Sequence, residues 1–442
     1  MILLENCKSV AVMDDAGTEL SDSSILVDQG TIAWIGRGAP PSKGEVERVD
    51  CRGLVAIPGL INTHHHLYQV LTRARAQEQG LFGWLKELYP VWAAVDREWE
   101  ARAALIGLSE LALSGCTTSV DHHYVFPRGR QGLLEAEIEA AKTVGLRFHP
   151  CRGSMDLGES QGGLPPDSIV QDIDTVLSDT EAAIRRFHDP DPGSMLRIAV
   201  GPCSPFSTSD RLMRESVTLA RKHGVGLHTH IAETLDEQSF CQEKFGRRPI
   251  QLLDDLGFLG DDVWLAHCVH VDEGDIALLA KTRTGVAWCP TSNARLGSGI
   301  APARRFLDAG VKLGLSVDGS ASNDSNQMLA EVRQGLLVTR ATNGAGSMTA
   351  REALRVATRG GAACLGRDDI GSLEAGKRAD IALFDINALG YQGAETDPIA
   401  ALVFCAPAAV HHLFVEGHQV VSDGRLTTVD PVNLRAPVGA PA

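Results

Sequence analysis

Five side chains able to bind a metal ion or work beside one, His64, His66, His230, His267 and Asp318, each close a short apolar run. The first pair lies in Pro58-Gly59-Leu60-Ile61-Asn62-Thr63-His64-His65-His66. Alternate residues of a strand point the same way, so His64 and His66 are expected to present their imidazoles on one face. His230 closes Val225-Gly226-Leu227-His228-Thr229-His230, and Glu233 follows three residues later. His267 closes Val263-Trp264-Leu265-Ala266-His267, and Asp318 closes Val311-Lys312-Leu313-Gly314-Leu315-Ser316-Val317-Asp318. Three neutral imidazoles and a carboxylate suit one divalent ion, zinc first and iron second, with a position left for water. An open position predicts catalysis rather than scaffolding. For any one of these histidines alone, a hydrogen-bonded place in the core is the ordinary role; their shared position at strand ends argues for the site.

The elements that must carry them follow from the alternation of strand-like and helix-like stretches between about residues 55 and 365, the sign of parallel βαβ units. Eight strands are predicted, at roughly 60–66, 117–122, 146–151, 196–202, 225–230, 263–267, 285–289 and 312–318. Helical patterns lie between them at about 97–113, 134–144, 211–222, 275–281 and 304–309, and glycines such as Gly224 and Gly310 mark their ends. Eight strands with eight crossovers make a (β/α)₈ barrel of the TIM type, and chemistry on such barrels sits at the C-terminal ends of the strands. The candidate ligands fall at the ends of strands one, five, six and eight, on one rim.

The flanks show short alternating runs broken by Gly and Asp, among them Ser24-Ile25-Leu26-Val27, Ile381-Ala382-Leu383-Phe384 and His412-Leu413-Phe414-Val415. Neither flank carries enough strands for a stable sheet, so the two termini are expected to combine into one small β-sandwich. The expected organisation is therefore 1–55 as the N-terminal part of that sandwich, 56–365 as the metal-dependent barrel and 366–442 as its C-terminal part plus a tail. The Pro- and Ala-rich stretch after about Asp430 is expected to be loosely ordered.

Across 442 residues, Lys+Arg 41 against Asp+Glu 56 give a net charge of −15, which argues against nucleic-acid or anionic-membrane partners. Ten cysteines show no C-x-x-C pairing and read as reduced core thiols of a cytoplasmic protein. The N-terminus lacks the basic and apolar regions of a signal peptide, and no uncharged apolar run approaches the ~18 residues of a membrane span. The P-loop and the H-x-E/P-C-x-x-C signature of cytidine-type deaminases are absent.

These motifs, in this order, make the chain resemble the amidohydrolase superfamily, in its mononuclear branch of aminohydrolases. The resemblance implies that His64, His66, His230 and Asp318 are metal ligands, that His267 activates or orients the water, and that Glu233 shuttles the proton. Dinuclear relatives carry a bridging lysine at the end of strand four; here that strand reads Arg197-Ile198-Ala199-Val200-Gly201-Pro202-Cys203, so one metal is expected. A bound divalent ion brings the pKa of its water towards ~7, while Glu233 can protonate a ring nitrogen as the adjacent amidine carbon is attacked.

Substrate choice is expected in the loops after the strands, which are aromatic and amide-like with few basic side chains, favouring a flat neutral heterocycle. The segments Asn62 to Gln69, Asp121-His122-His123-Tyr124, Pro202-Cys203-Ser204-Pro205-Phe206 and Asp318 to Asp324 are most similar to those of the 8-oxoguanine deaminases, ahead of triazine, guanine and pterin aminohydrolases. That resemblance implies 8-oxoguanine and water as substrates, urate and ammonia as products, and a pocket lined by Gln69 and Cys203. Trp84 and His123 are offered as further substrate contacts; for Cys203 a plain core thiol is the alternative, and for Trp84 a loop anchor. His65 should pack behind the site, His228 is left between a contact behind the ligands and one with substrate, and His122 should face away. A hydantoinase-like amide hydrolase and a non-catalytic scaffold are the readings of other classes; the missing lysine opposes the first and the complete ligand set the second. Many relatives are dimers or larger, and composition leaves a homo-oligomer open.

Overall fold

Eight apolar runs form one sheet of parallel strands that are hydrogen-bonded in chain order: Leu60–Asn62, Cys116–His123, Arg147–Ser154, Ala199–Pro202, Leu227–Ile231, Val263–His267, Gly285–Trp288 and Leu313–Leu315. The structure is a computed structural model that describes residues 1–41, 44–405 and 408–435. Every residue of the strands Cys116–His123 and Arg147–Ser154 is buried, as expected where helices cover the outer face of a parallel sheet. Ile61, Val120, Cys151, Ala199, Trp264 and Ala287 fill one cluster within the ring, closed by Ala362, Cys364, Leu365 and Ile370.

The helices follow their sequence signals closely. Arg97–Leu113 starts at Asp96, whose side chain accepts from the backbone N–H of Trp99, and Asp210–His223 starts at Ser209 and stops at Gly224, a left-handed position with φ of 66°. One helix the sequence hid is Leu81–Trp92. Gly83 and Pro90 interrupt it, yet Leu81, Trp84, Leu85, Leu88, Tyr89 and Trp92 repeat at helical spacing and bury one face. That face packs with Tyr68, Tyr124, Cys203, Phe206 and Leu296 over the C-terminal rim of the barrel.

The ring closes in an unusual way. The first strand was expected to run to His66 and the eighth to Asp318, but regular pairing stops at Asn62 and Leu315. The backbone groups of Val317 go to side chains instead: its N–H donates to Asn62 Oδ1 at 3.0 Å, and its C=O accepts from Asn323 Nδ2 at 2.8 Å. Beyond this break a separate two-residue parallel ladder pairs Asp318 with His65 and Gly319 with His66.

Both termini meet in one mixed sheet of nine strands, as expected of the flanks. Its halves join where Leu54–Pro58 pairs antiparallel with Ile381–Asp385, so strand structure from the N-terminal half runs past residue 55 to Pro58. Only Gly59 separates that strand from the barrel, and a Cβ there would lie 2.1 Å from Thr117 Oγ1, which leaves no room for any other residue. Of the Pro- and Ala-rich tail, Pro431–Leu434 form a 3₁₀ turn, and 436–442 lie outside the described residues. The ten cysteines are all unpaired, nine of them buried. Among the described residues no helix is long and apolar enough to cross a membrane.

Sheet and barrel are pinned by Arg147, a fully buried side chain at the start of the third barrel strand. Its guanidinium donates to both carboxylate oxygens of Asp380 at 3.0 Å, to Glu416 Oε2 at 2.7 Å, and to the carbonyls of Gly193 and Ser194 at 2.7 Å. Arg147→Ala would leave Asp380 buried without its counter-charge, so a loss of about 3–5 kcal/mol is expected. Chemical denaturation reads this as a lowered midpoint, and an unchanged midpoint would rule out that role.

Candidate active site

His64, His66, His230 and Asp318 reach one point from three separated parts of the chain. His66 Nε2 lies 3.0 Å from His230 Nε2, and Asp318 Oδ1 lies 3.3 Å from His64 Nε2 and 3.4 Å from His66 Nε2. Donor atoms bound tetrahedrally to one zinc at about 2.0–2.1 Å stand about 3.3 Å apart, so these spacings match a shared ion. His64 Nε2 is buried with no hydrogen-bond partner, an orphan that an ion would satisfy.

The ring protons are placed to suit. His66 Nδ1 donates to the carbonyl of His122 at 2.8 Å and His230 Nδ1 to the carbonyl of Cys203 at 2.7 Å, which leaves each Nε2 bare. Burial pushes the imidazoles of His64 and His66 well below their usual range and that of His230 below it, favouring the neutral form that binds metals. His267 has the reverse arrangement. Asn293 Nδ2 donates to its Nδ1 at 3.0 Å, so a neutral ring carries its proton on Nε2, 3.5 Å from Glu233 Oε2. Burial holds His267 down at about 4, hence neutral. A ring N–H aimed into the site suits orienting a water better than ligation.

Asp318 and His267 adopt left-handed backbone conformations, with φ of 63° and 75°, which side chains other than glycine adopt at a cost. This strain turns both side chains inward at the ends of their strands. Ser292 Oγ at 2.5 Å and Ser322 Oγ at 3.1 Å donate to Asp318 Oδ2, which reserves Oδ1 for the ligand cluster.

Glu233 is held by a tight turn. Glu237 accepts the backbone N–H groups of Ala232 at 3.0 Å and Glu233 at 2.8 Å, and Ala232 has φ of 53°. The Glu233 carboxyl is 4% exposed, and burial, then the charges of Asp318 and Glu237, push its pKa well above the usual range. A carboxyl raised in this way keeps its proton to higher pH, the direction a general acid needs. Ser298 Oγ donates to its Oε1 at 3.4 Å.

Glu233, His267, His66, His230 and Asp318 face one cavity. Gln69, Trp84 and Cys203 line it as the sequence suggested, together with Tyr89, Tyr124, Phe206 and Ser322. Trp84 also anchors its helix, since Nε1 donates to the carbonyl of Ala321 at 3.0 Å. His123 does not reach the cavity, contrary to expectation. Its Nε2 donates to the carbonyl of Val125 at 2.8 Å, and its Nδ1 lies 2.7 Å from Glu137 Oε1, against the covering helices. His122 is the one that turns inward, its ring stacked on His230 at 4.8 Å between centroids. Alternation along the strand explains both: Val120 lies within the ring, so His122 shares its side and His123 the opposite one. His65 packs behind the site as predicted, hydrogen-bonded to Asn326 Oδ1 at 3.0 Å. Ser292, Asn293 and Ser298 were missed; for the first two the signal was the polar run Thr291-Ser292-Asn293 shortly after the seventh strand.

The sequence model of the amidohydrolase family matches residues 55–420. Over 429 residues the chain is 44% identical to an 8-oxoguanine deaminase of Pseudomonas aeruginosa, covering 97% of this chain and 95% of that protein. It is 39% identical over 440 residues to a hydroxydechloroatrazine ethylaminohydrolase of Pseudomonas sp. (strain ADP), covering 95% and 91%. Among solved structures, an atrazine chlorohydrolase of Arthrobacter aurescens TC1 complexed with zinc matches with a TM-score of 0.94 at 34% identity, over 98% of each chain.

Proposed function

The chain belongs to the amidohydrolase family, and from that premise we propose that it is a cytoplasmic, metal-dependent hydrolytic deaminase that converts 8-oxoguanine and water to urate and ammonia. The reading is carried by one observation: Glu233, buried and with its carboxyl pushed well above the usual range, lines the same cavity as His66, His230 and Asp318. Similarity to the Pseudomonas aeruginosa deaminase supports the choice of purine. So does the cavity lining, which among the described residues holds no Lys or Arg to meet a phosphate.

His64, His66, His230 and Asp318 would hold one divalent ion, zinc in the first place, which when bound supplies Lewis-acid activation of water. The chain's own groups do the rest. His267 orients the attacking water through its Nε2–H, and Asp318 accepts a proton from it. Glu233 gives its proton to the ring nitrogen beside the amine-bearing carbon, which keeps negative charge from building on the heterocycle. A carbon–oxygen bond forms and the carbon–nitrogen bond breaks; the amine leaves as ammonia with the proton Asp318 took from the water, and the hydroxyl proton of the adduct returns to Glu233 as the carbonyl forms. Gln69, Trp84 and Cys203 would contact the purine.

Ammonia release from 8-oxoguanine, guanine, isoxanthopterin, cytosine and hydroxylated aminotriazines tests the substrate. The C8 carbonyl and N7–H of 8-oxoguanine should meet polar groups that guanine leaves unpaired. 8-Oxoguanine is expected to exceed guanine in kcat/KM by at least about tenfold, roughly 1.4 kcal/mol of transition-state binding. Equal rates, or a triazine turned over best, would defeat the purine assignment and leave a deaminase of another heterocycle.

A further inference from the structure

Inside the barrel, beside the convergent ligand atoms, sits an imidazole that neither the ligand set nor the cavity uses. His228 is fully buried and lies on the strand Leu227–Ile231, two residues before His230. Its ring stacks on the indole of Trp264, with centroids 4.6 Å apart and planes at 16°. Nδ1 lies 2.6 Å from the carbonyl oxygen of Trp264. A carbonyl can only accept, so that nitrogen carries a proton. The other nitrogen, Nε2, lies 2.7 Å from His64 Nδ1.

The direction of this second bond follows. The rings packed around His228 are those of His64, His122, His230 and Trp264, and its two nitrogens meet the Trp264 carbonyl and His64 rather than a carboxylate. A neutral ring with its proton on Nδ1 has a lone pair on Nε2, which accepts from His64 Nδ1–H. His64 then has no proton left for Nε2, the orphaned atom that faces Asp318. For His66 and His230 a backbone carbonyl takes the Nδ1 proton directly. His64, at the break in the first strand, gets the same service at one remove.

We propose that His228 is a positioning residue for the metal centre: it relays the acceptor character of the Trp264 carbonyl through a neutral imidazole and fixes His64 as its Nδ1–H tautomer, lone pair turned to the ion. The proposal rests on the reading of His64 as a ligand. Because the relay is neutral, it orients the ligand without adding a second negative charge beside Asp318.

Zinc affinities of the metal-stripped wild type, His228→Phe and His228→Gln, measured by competition with a chromogenic chelator, test it. Phenylalanine keeps the ring against Trp264 but leaves His64 Nδ1–H buried and unpaired, so affinity is expected to fall about 10- to 100-fold, the usual effect of losing a partner behind a ligand. Glutamine places an amide oxygen near the position of Nε2 and should recover most of the loss, a rescue that simple cavity filling would not give. Wild-type affinity in His228→Phe would overturn the relay. A wild type that takes up no zinc would overturn the ligand reading beneath it, a separate outcome. Should the phenylalanine variant fail to fold, ¹⁵N-histidine spectra of the wild type decide directly: a His64 protonated on Nδ1 agrees, and one protonated on Nε2 refutes.

Discussion

Glu233→Gln is expected to keep its metal and to lose on the order of 10²-fold or more in kcat. The amide has the shape of the carboxyl, can keep the Ser298 contact, and leaves intact the turn that Glu237 builds by accepting the backbone N–H groups of Ala232 and Glu233. What it lacks is a proton it can give up and take back. Burial holds the Glu233 pKa well above the usual carboxyl range, so the protonated form required of a general acid persists to higher pH than in a free carboxyl and is lost as pH rises through that raised value. The wild-type kcat profile should therefore fall on its basic side, and the variant should lose that dependence. Near-normal turnover in the variant would move the proton shuttle to another group.

Asp318→Asn should cost more, because a ligand and a proton acceptor go together. Asparagine tolerates the left-handed backbone at this position, where φ is 63°, and its amide oxygen can still accept from Ser292 and Ser322. The fold is therefore expected to survive while the function does not. The wild type should contain about one zinc or iron per chain by elemental analysis. The variant should be depleted under the same conditions and, taking both losses, fall on the order of 10³-fold or more in kcat/KM. A metal-replete, active variant would contradict the dual role, and two metals per wild-type chain would contradict a single ion.

The convergence of His64, His66, His230 and Asp318 was legible because each closes an apolar run, and strand ends on one rim of a barrel converge whatever the loops do. Helix limits were legible from local caps, as at Asp96 and Gly224. Two kinds of information were not. The parity of the strand Cys116–His123 decides whether His122 or His123 turns inward, and a period of two gives no phase unless a neighbour such as Val120 is known to be inside. The groups that tune the site, Ser292, Asn293, Ser298 and His228, act through distances of 2.5–3.4 Å between segments far apart in sequence. Nothing local in the chain marks those approaches. The helix Leu81–Trp92 is harder to read, since Gly83 and Pro90 are poor helix formers and its signal is the apolar spacing alone.

The break between the first and eighth barrel strands gives the ion a mechanical office. The ring's one gap is bridged by the ladder of Asp318 with His65 and Gly319 with His66 and by the bonds of Val317 and Thr63. His64 and His66 stand on one lip of that gap and Asp318 on the other. An ion shared by them would rivet the barrel shut, and opening the seam would mean unseating it. At a thousandfold excess of free metal over Kd, the rivet is worth about 4 kcal/mol to the folded state. That reinforcement is concentrated where the hoop is weakest.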